Sequence, residues 1–141
     1  MNSIDIHSSN PQQIQQIVDG INAYNLQQVP ALADTWTPLE FVAQDQQGNT
    51  LGGVLGGIGY WNGLEIKILW VAENQRHQGI GSKLIAHIEQ VAQAKGATMS
   101  MLDTFDFQAK DFYLKQGYSI AGTIDNFPEG HQRYYFSKSL G

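Results

Sequence analysis

Residues 76–83, Arg76-His77-Gln78-Gly79-Ile80-Gly81-Ser82-Lys83, combine the residue types with the clearest chemistry in this chain. They follow an apolar run, Ile66-Lys67-Ile68-Leu69-Trp70-Val71, and lead into Leu84, Ile88, Val91 and Ala92 at helical spacing. A buried strand, a polar turn and a glycine-bearing loop opening into a helix can hold an anion. The first helical turn leaves four backbone N–H groups unpaired at the positive end of the macrodipole. Gly79 and Gly81 permit close backbone approach, Arg76 adds positive charge, and no Asp or Glu occupies the first turn. With Ser82 and Lys83 alongside, the loop suits a phosphate brought by a ligand. Other phosphate loops fit less well. A dinucleotide fingerprint needs a third glycine at position 84, where Leu84 stands, and the Walker A spacing is absent. A bare Gly-x-Gly also fits a plain tight turn, so the surrounding elements have to decide.

Those elements alternate. Ile4–His7 reads as a short strand, and Asn10-Pro11 starts a helix to about Gln28 with Ile14, Ile17, Val18 and Ile21 on one face. Residues 29–37 read as a loop or short helix. Leu39–Gln44 and Thr50–Trp61 read as strands, and Asn62-Gly63 turns the chain into a strand over Leu64–Val71. The helix of the anion loop spans about Gly79 to Lys95, with Gly96 as its left-handed stop. Ala97–Thr104 is a strand, Gln108–Gln116 a short helix, and Tyr118–Thr123 and Arg133–Ser137 are strands. The order predicts an α/β fold, a mixed and mostly antiparallel sheet of six to seven strands flanked by helices. With no repeat or linker composition, residues 1–141 are expected to form a single domain.

Composition narrows the partners. Eight Lys+Arg against thirteen Asp+Glu give a net charge of −5, and the pI near 5.1 argues against nucleic acid or an anionic membrane. The same surplus mildly favours a cationic partner. Zero cysteines remove disulfides, thiolate metal sites and a cysteine nucleophile. No stretch approaches the roughly 18 apolar residues needed to cross a bilayer. The start, Met1-Asn2-Ser3-Ile4-Asp5, lacks the basic and apolar regions of a signal peptide, so a cytoplasmic location is expected.

Arg76-x-x-Gly79-x-Gly81, five residues beyond Val71, resembles the acyl-CoA pyrophosphate loop of the GNAT family of N-acetyltransferases. A second match follows in the expected order: Ala109, Tyr113 and Gly117-Tyr118 stand where that family often reads Asn-x-x-Ala-x-x-x-Tyr-x-x-x-Gly-Phe. Asp106 takes the usual Asn position and Tyr118 that of the Phe. The resemblance, over residues 4–138, implies direct transfer of an acetyl group from acetyl-CoA to a primary amine, through a ternary complex and without a covalent intermediate. It implies that Arg76, Gln78, Gly79, Gly81, Ser82 and Lys83 seat the cofactor phosphates. The backbone of Leu69 and Val71 would bind the pantetheine arm and polarise the thioester. Tyr113 matches the tyrosine that serves as acid near the sulfur. Glu65 matches a glutamate that some members use as base; lying four residues before Leu69, it is expected on the same strand face. Asp103 is a second base candidate and could equally cap the following loop. Asp106, as a carboxylate, would repel phosphates, so either it points away or Thr104 and Gln108 take over its cofactor contact.

Trp36 and Trp61 fall in regions that wall the acceptor site in that family, and with Glu65 or Asp103 would suit an organic cation. His131, Tyr134 and Tyr135 could line the same site or merely pair strands. Gly52, Gly53, Gly56, Gly57 and Gly59 alternate within a strand, which predicts close packing or a bulge and not a phosphate loop. His7, His77, His87 and His131 show no metal-ligand spacing, so no metal is expected. The acceptor is expected to be a small, cationic amine in preference to a protein lysine. Dimers are common in the family, and a homodimer stays open. Two rivals remain: a non-catalytic acyl-CoA-binding module and a nicotinamide-dependent oxidoreductase, the latter disfavoured by Leu84.

Overall fold

The structure, a computed structural model, describes residues 3–141. Residues 3–31 and Leu32–Gly141 cluster as two compact units. The first contains helix α1, Pro11–Gln28. Its start is a capping box: the Asn10 side chain accepts from the Gln13 N–H at 2.8 Å, and the Gln13 side chain accepts from the Asn10 N–H at 3.0 Å. Pro11 fills the first helical position, as the sequence predicts. Ile4–His7 is not a strand, and Ile4 and Ile6 are exposed. Alternation of two isoleucines cannot hold a strand without a partner for its backbone groups.

The second unit is a six-stranded sheet in the order β1-β2-β3-β4-β6-β5. The strands are β1 Trp36–Gln44, β2 Thr50–Gly59, β3 Gly63–Val71, β4 Met99–Phe105, β5 Ser119–Asp125 and β6 Gln132–Ser139. Only β3 and β4 run parallel; the other neighbours are antiparallel. Strand β1 starts at Trp36, three residues earlier than Leu39, and carries Pro38. The missing N–H is tolerated because β1 is an edge strand with one neighbour.

Helix α2, Ile80–Ala94, packs on β1, β2 and β3. Its Leu84, Ile85, Ile88 and Ala92 are buried against Leu39, Val54, Ile58, Leu64 and Ile66, with Ile80 and Val91 partly buried at the edge. Each fully buried aliphatic side chain contributes roughly 1.5–3 kcal/mol. Gly96 ends the helix at φ 101°, and the Ala97 N–H reaches back to the Ala92 carbonyl at 2.9 Å. Helix α3, Lys110–Lys115, joins β4 to β5.

The glycines of β2 serve close approach. A Cβ on Gly56 would lie 2.3 Å from the Glu65 carbonyl oxygen, and one on Gly57 would lie 2.3 Å from the Trp36 ring. The register of β2 on β3 shifts between Leu55 and Gly56, so the predicted bulge is present as well. Leu55 faces Ile68, Gly56 faces Ile66, and Lys67 has no partner between them. Below α2 a polar chain is fully satisfied. Lys138 Nζ donates to Glu89 at 2.7 Å, Tyr118 donates to the other Glu89 oxygen at 2.7 Å, and Ser100 shares the Tyr118 hydroxyl. Burial, with the Glu89 charge adding to it, pushes the Tyr118 hydroxyl far above its ordinary range. Among the described residues, no helix is long and apolar enough to cross a membrane.

Candidate active site

Strands β3 and β4 pair only at Gly63–Met99, Leu64–Ser100 and Glu65–Met101. Beyond that point they part, and a cleft of about 1380 Å³ opens between them. Pockets for drug-sized ligands occupy about 300–1,000 Å³, so this one has room for a long cofactor and an acceptor together. One wall is Ile66–Val71, the other Leu102–Phe107; the anion loop and α3 close the end.

The loop has the backbone that the glycines predict. Gly79 caps α2 at φ 79°, and a Cβ there would meet nothing within 4 Å, leaving the approach open. His77 is also left-handed, at φ 66°. Gly81 has a different reason for being glycine: a Cβ would lie 3.2 Å from the Phe112 ring, so it allows α2 and α3 to pack closely. Arg76 Nε donates to the Val71 carbonyl at 3.3 Å, tying the loop to the strand end. Gln116 Nε2 donates to Ser82 Oγ at 2.9 Å. Arg76, Gly79, Gly81 and Ser82 line the cleft with the Leu69–Val71 strand end, whereas Gln78 and Lys83 lie exposed outside its lining.

Tyr113 is buried among Phe112, Tyr118 and Phe136, yet it lines the cleft. No buried side-chain polar atom lacks a partner among the described residues, so the Tyr113 hydroxyl, which makes no hydrogen bond, is not fully sealed from solvent. Burial first, and the Asp103 charge second, push its pKa up to about 12.

Asp103 lines the cleft, but its carboxylate is taken by the Arg133 guanidinium. Arg133 in turn lies over the rings of Tyr135 at 5.2 Å, Phe105 at 5.3 Å and Phe127 at 5.9 Å. An ion pair held this way leaves Asp103 poorly placed to take a proton or attract a cation, in contrast to the sequence expectation. Asp106 also lines the cleft, with its carboxylate held by the segment leading into β6, bonded to His131 Nδ1 at 2.8 Å and the Gln132 N–H at 3.0 Å. Gln108 lines the cleft, but its carbonyl oxygen holds the β4–α3 turn, accepting from the Phe105 N–H at 2.8 Å and Thr104 at 3.1 Å.

The bulge at Lys67 changes the face relation expected between Glu65 and Leu69. Leu64 and Ile66 point into the core, and after the bulge it is Leu69 that packs on the core while Ile68 and Trp70 are exposed. One extra residue reverses the alternation, so Glu65 and Leu69 lie on opposite faces. Glu65 stands just before the cleft lining, which begins on β3 at Ile66. It lies opposite Gly57, on the face where the Trp36 ring covers that glycine. Glu65 and Trp36 are therefore brought together, although neither lines the cleft. Trp61 sits at the β2–β3 turn, exposed and also outside the lining. The aromatic wall is built instead from Phe105 and Phe107, stacked at 5.3 Å, with Phe127 and His131 against their edges. No spacing in the sequence announces that cluster, because a strand end and a hairpin tip assemble it. Lys67 also lines the cleft, and its signal is legible: it is the lone charge in the apolar run Ile66–Val71.

A parallel pair of strands thus parts over a glycine-bearing helix start, with Tyr113 in the lining between them. The family model described as "Acetyltransferase (GNAT) family" matches residues 12–118, and the chain belongs to that family. It is 36% identical over 107 residues to blasticidin-S acetyltransferase of Streptomyces morookaense, covering 73% of this chain and 78% of that protein. An acetyltransferase from Bacillus cereus ATCC 14579 has the same fold, with a TM-score of 0.89 and 33% identity over 96% of this chain and 97% of the other. An aminoglycoside 6′-N-acetyltransferase complexed with coenzyme A shares the fold alone, with a TM-score of 0.66 and 18% identity over 94% and 93% of the two chains.

Proposed function

We propose that residues 1–141 act as a single N-acetyltransferase domain that moves an acetyl group from acetyl-CoA directly to a primary amine of a small molecule, in the cytoplasm. The observation that carries this reading is the cleft itself, which is lined both by a glycine-bearing helix start with no acidic residue in its first turn and by Tyr113. The name of the Streptomyces relative, blasticidin-S acetyltransferase, supports a small-molecule acceptor.

Acetyl-CoA supplies a thioester carbonyl and a thiolate leaving group. The loop N–H groups, Arg76 and Ser82 receive its phosphates, and the unpaired edge of β3 near Leu69 and Val71 receives its arm. A backbone N–H at that edge donates to the carbonyl oxygen as negative charge develops there. The acceptor ammonium loses one proton to Glu65 or a water before its nitrogen forms the C–N bond, and the second proton, shed by the nitrogen as the amide forms, replaces the one that Tyr113 gives up. The C–S bond then breaks and Tyr113 donates to the departing sulfur.

Thiol release from acetyl-CoA across a panel of primary amines tests this, together with the melting shift that CoA produces. Acceptor-dependent release with a CoA-induced shift is expected. A shift without release from any amine would favour the non-catalytic acyl-CoA-binding module; the absence of both signals would defeat the reading outright.

A further inference from the structure

Lys67 is the single charge in the run Ile66–Val71, and the β-bulge leaves it without a partner on β2. Its ammonium lies 4.5 Å above the Trp36 ring, which fills the space left by Gly57. It is exposed and lines the rim of the cleft where β3 and β4 part. The ion pairs among the described residues join His131 to Asp106, Arg133 to Asp103 and Lys138 to Glu89; none involves Lys67. The carboxylates of the cleft wall nearest the hairpin are thus already occupied, and Lys67 is a cation left for a ligand.

That ligand is not the cofactor phosphate. Four residues, about 13 Å of strand, separate Lys67 from Val71, after which the anion loop begins. Glu65 leaves the same face two residues earlier, and no ion pair joins it to Lys67. A carboxylate and an ammonium held side by side, unpaired, complement a ligand that carries an ammonium beside a carboxylate. A purely cationic acceptor would meet the charge of Lys67 instead.

Resting on the transfer reading above, we propose that the acceptor is a primary amine that also bears a carboxylate, and that Lys67 receives that carboxylate. The Trp36 ring lies beneath the lysine ammonium, and the acceptor nitrogen is left toward Glu65 and the thioester. This replaces the cationic acceptor suggested by net charge with a zwitterionic one.

The test uses the full chain and acceptor pairs that differ by the carboxylate alone: lysine against cadaverine, ornithine against putrescine, arginine against agmatine. CoA release and the melting shift of the CoA-bound protein are read for each. The wild type should favour the carboxylate member in kcat/KM by about tenfold to hundredfold, the range of a charge-assisted hydrogen bond. Lys67→Gln should collapse that ratio toward one through KM, Lys67→Arg should keep most of it, and KM for acetyl-CoA should not move. Preference for the decarboxylated member, no preference in either readout, or an equal loss in both members on Lys67→Gln overturns the proposal while leaving amine acetylation intact. Absence of both CoA release and a CoA-induced shift defeats the transfer reading beneath it.

Discussion

Tyr113 can donate a proton only while it holds one, and its burial secures that. A pKa raised to about 12 keeps the hydroxyl neutral across the working range, so its ionisation should not limit the rate below about pH 10. An alkaline fall centred near pH 8 to 9 would identify some other group as the acid. Tyr113→Phe keeps the ring contacts with Phe112, Tyr118 and Phe136, so it should fold and still shift its melting temperature with CoA. Its kcat should fall by about 10²–10⁴, the usual range for a positioned acid. The stability sign is also set. The raised pKa contributes stability that is complete below pH 10 and lost as pH rises toward 12, so the wild type should lose stability relative to Tyr113→Phe across that window, as measured by urea denaturation.

At the scale of elements, the site depends on how α2 and α3 are joined. Gln116, the C-cap of α3, donates to Ser82 in the first turn of α2. A serine oxygen that accepts from Gln116 keeps its own O–H for another acceptor, and Ser82 lines the cleft beside the loop. Gln116→Leu should therefore raise KM for acetyl-CoA about fivefold, the size of one ordinary hydrogen bond, and leave KM for acetyl-pantetheine, which lacks the phosphates, unchanged. An equal rise for both donors would mean that Gln116 merely supports the fold. Elements with strong local signals were legible in the sequence: the Asn10-Pro11 start of α1, the Gly96 stop of α2, and the glycine-bearing loop. What was not legible arises between strands. The bulge at Lys67 depends on the partner register and reverses the face assigned to Glu65. The pairing of Asp103 with Arg133 joins β4 to β6 across 30 residues, which no local spacing reports. Ile4–His7 failed for the opposite reason: its alternation is local, but a strand is a property of a pair.

The whole molecule carries −5, yet its charge is not spread evenly. Four of the eight basic residues, Lys67, Arg76, Lys110 and Arg133, line the cleft, against three of the thirteen acidic ones, Asp103, Asp106 and Asp111. Two of those acids are paired, with Arg133 and His131. The cleft is therefore locally positive inside an acidic protein, and the two scales make opposite predictions about an anionic donor. If net charge governed its binding, added salt would screen repulsion and lower KM for acetyl-CoA. If the cleft governs, salt screens attraction and raises it. The Debye length shortens from about 10 Å at 0.1 M to about 3 Å at 1 M, so the distant surface is already muted at moderate salt while contacts within the cleft persist. KM for acetyl-CoA should thus rise severalfold between about 0.1 and 1 M sodium chloride, while KM for acetyl-pantetheine stays nearly flat. Steady-state thiol release at constant pH measures both. A fall in KM for acetyl-CoA with salt would show that the acidic exterior, and not the basic cleft, sets the encounter.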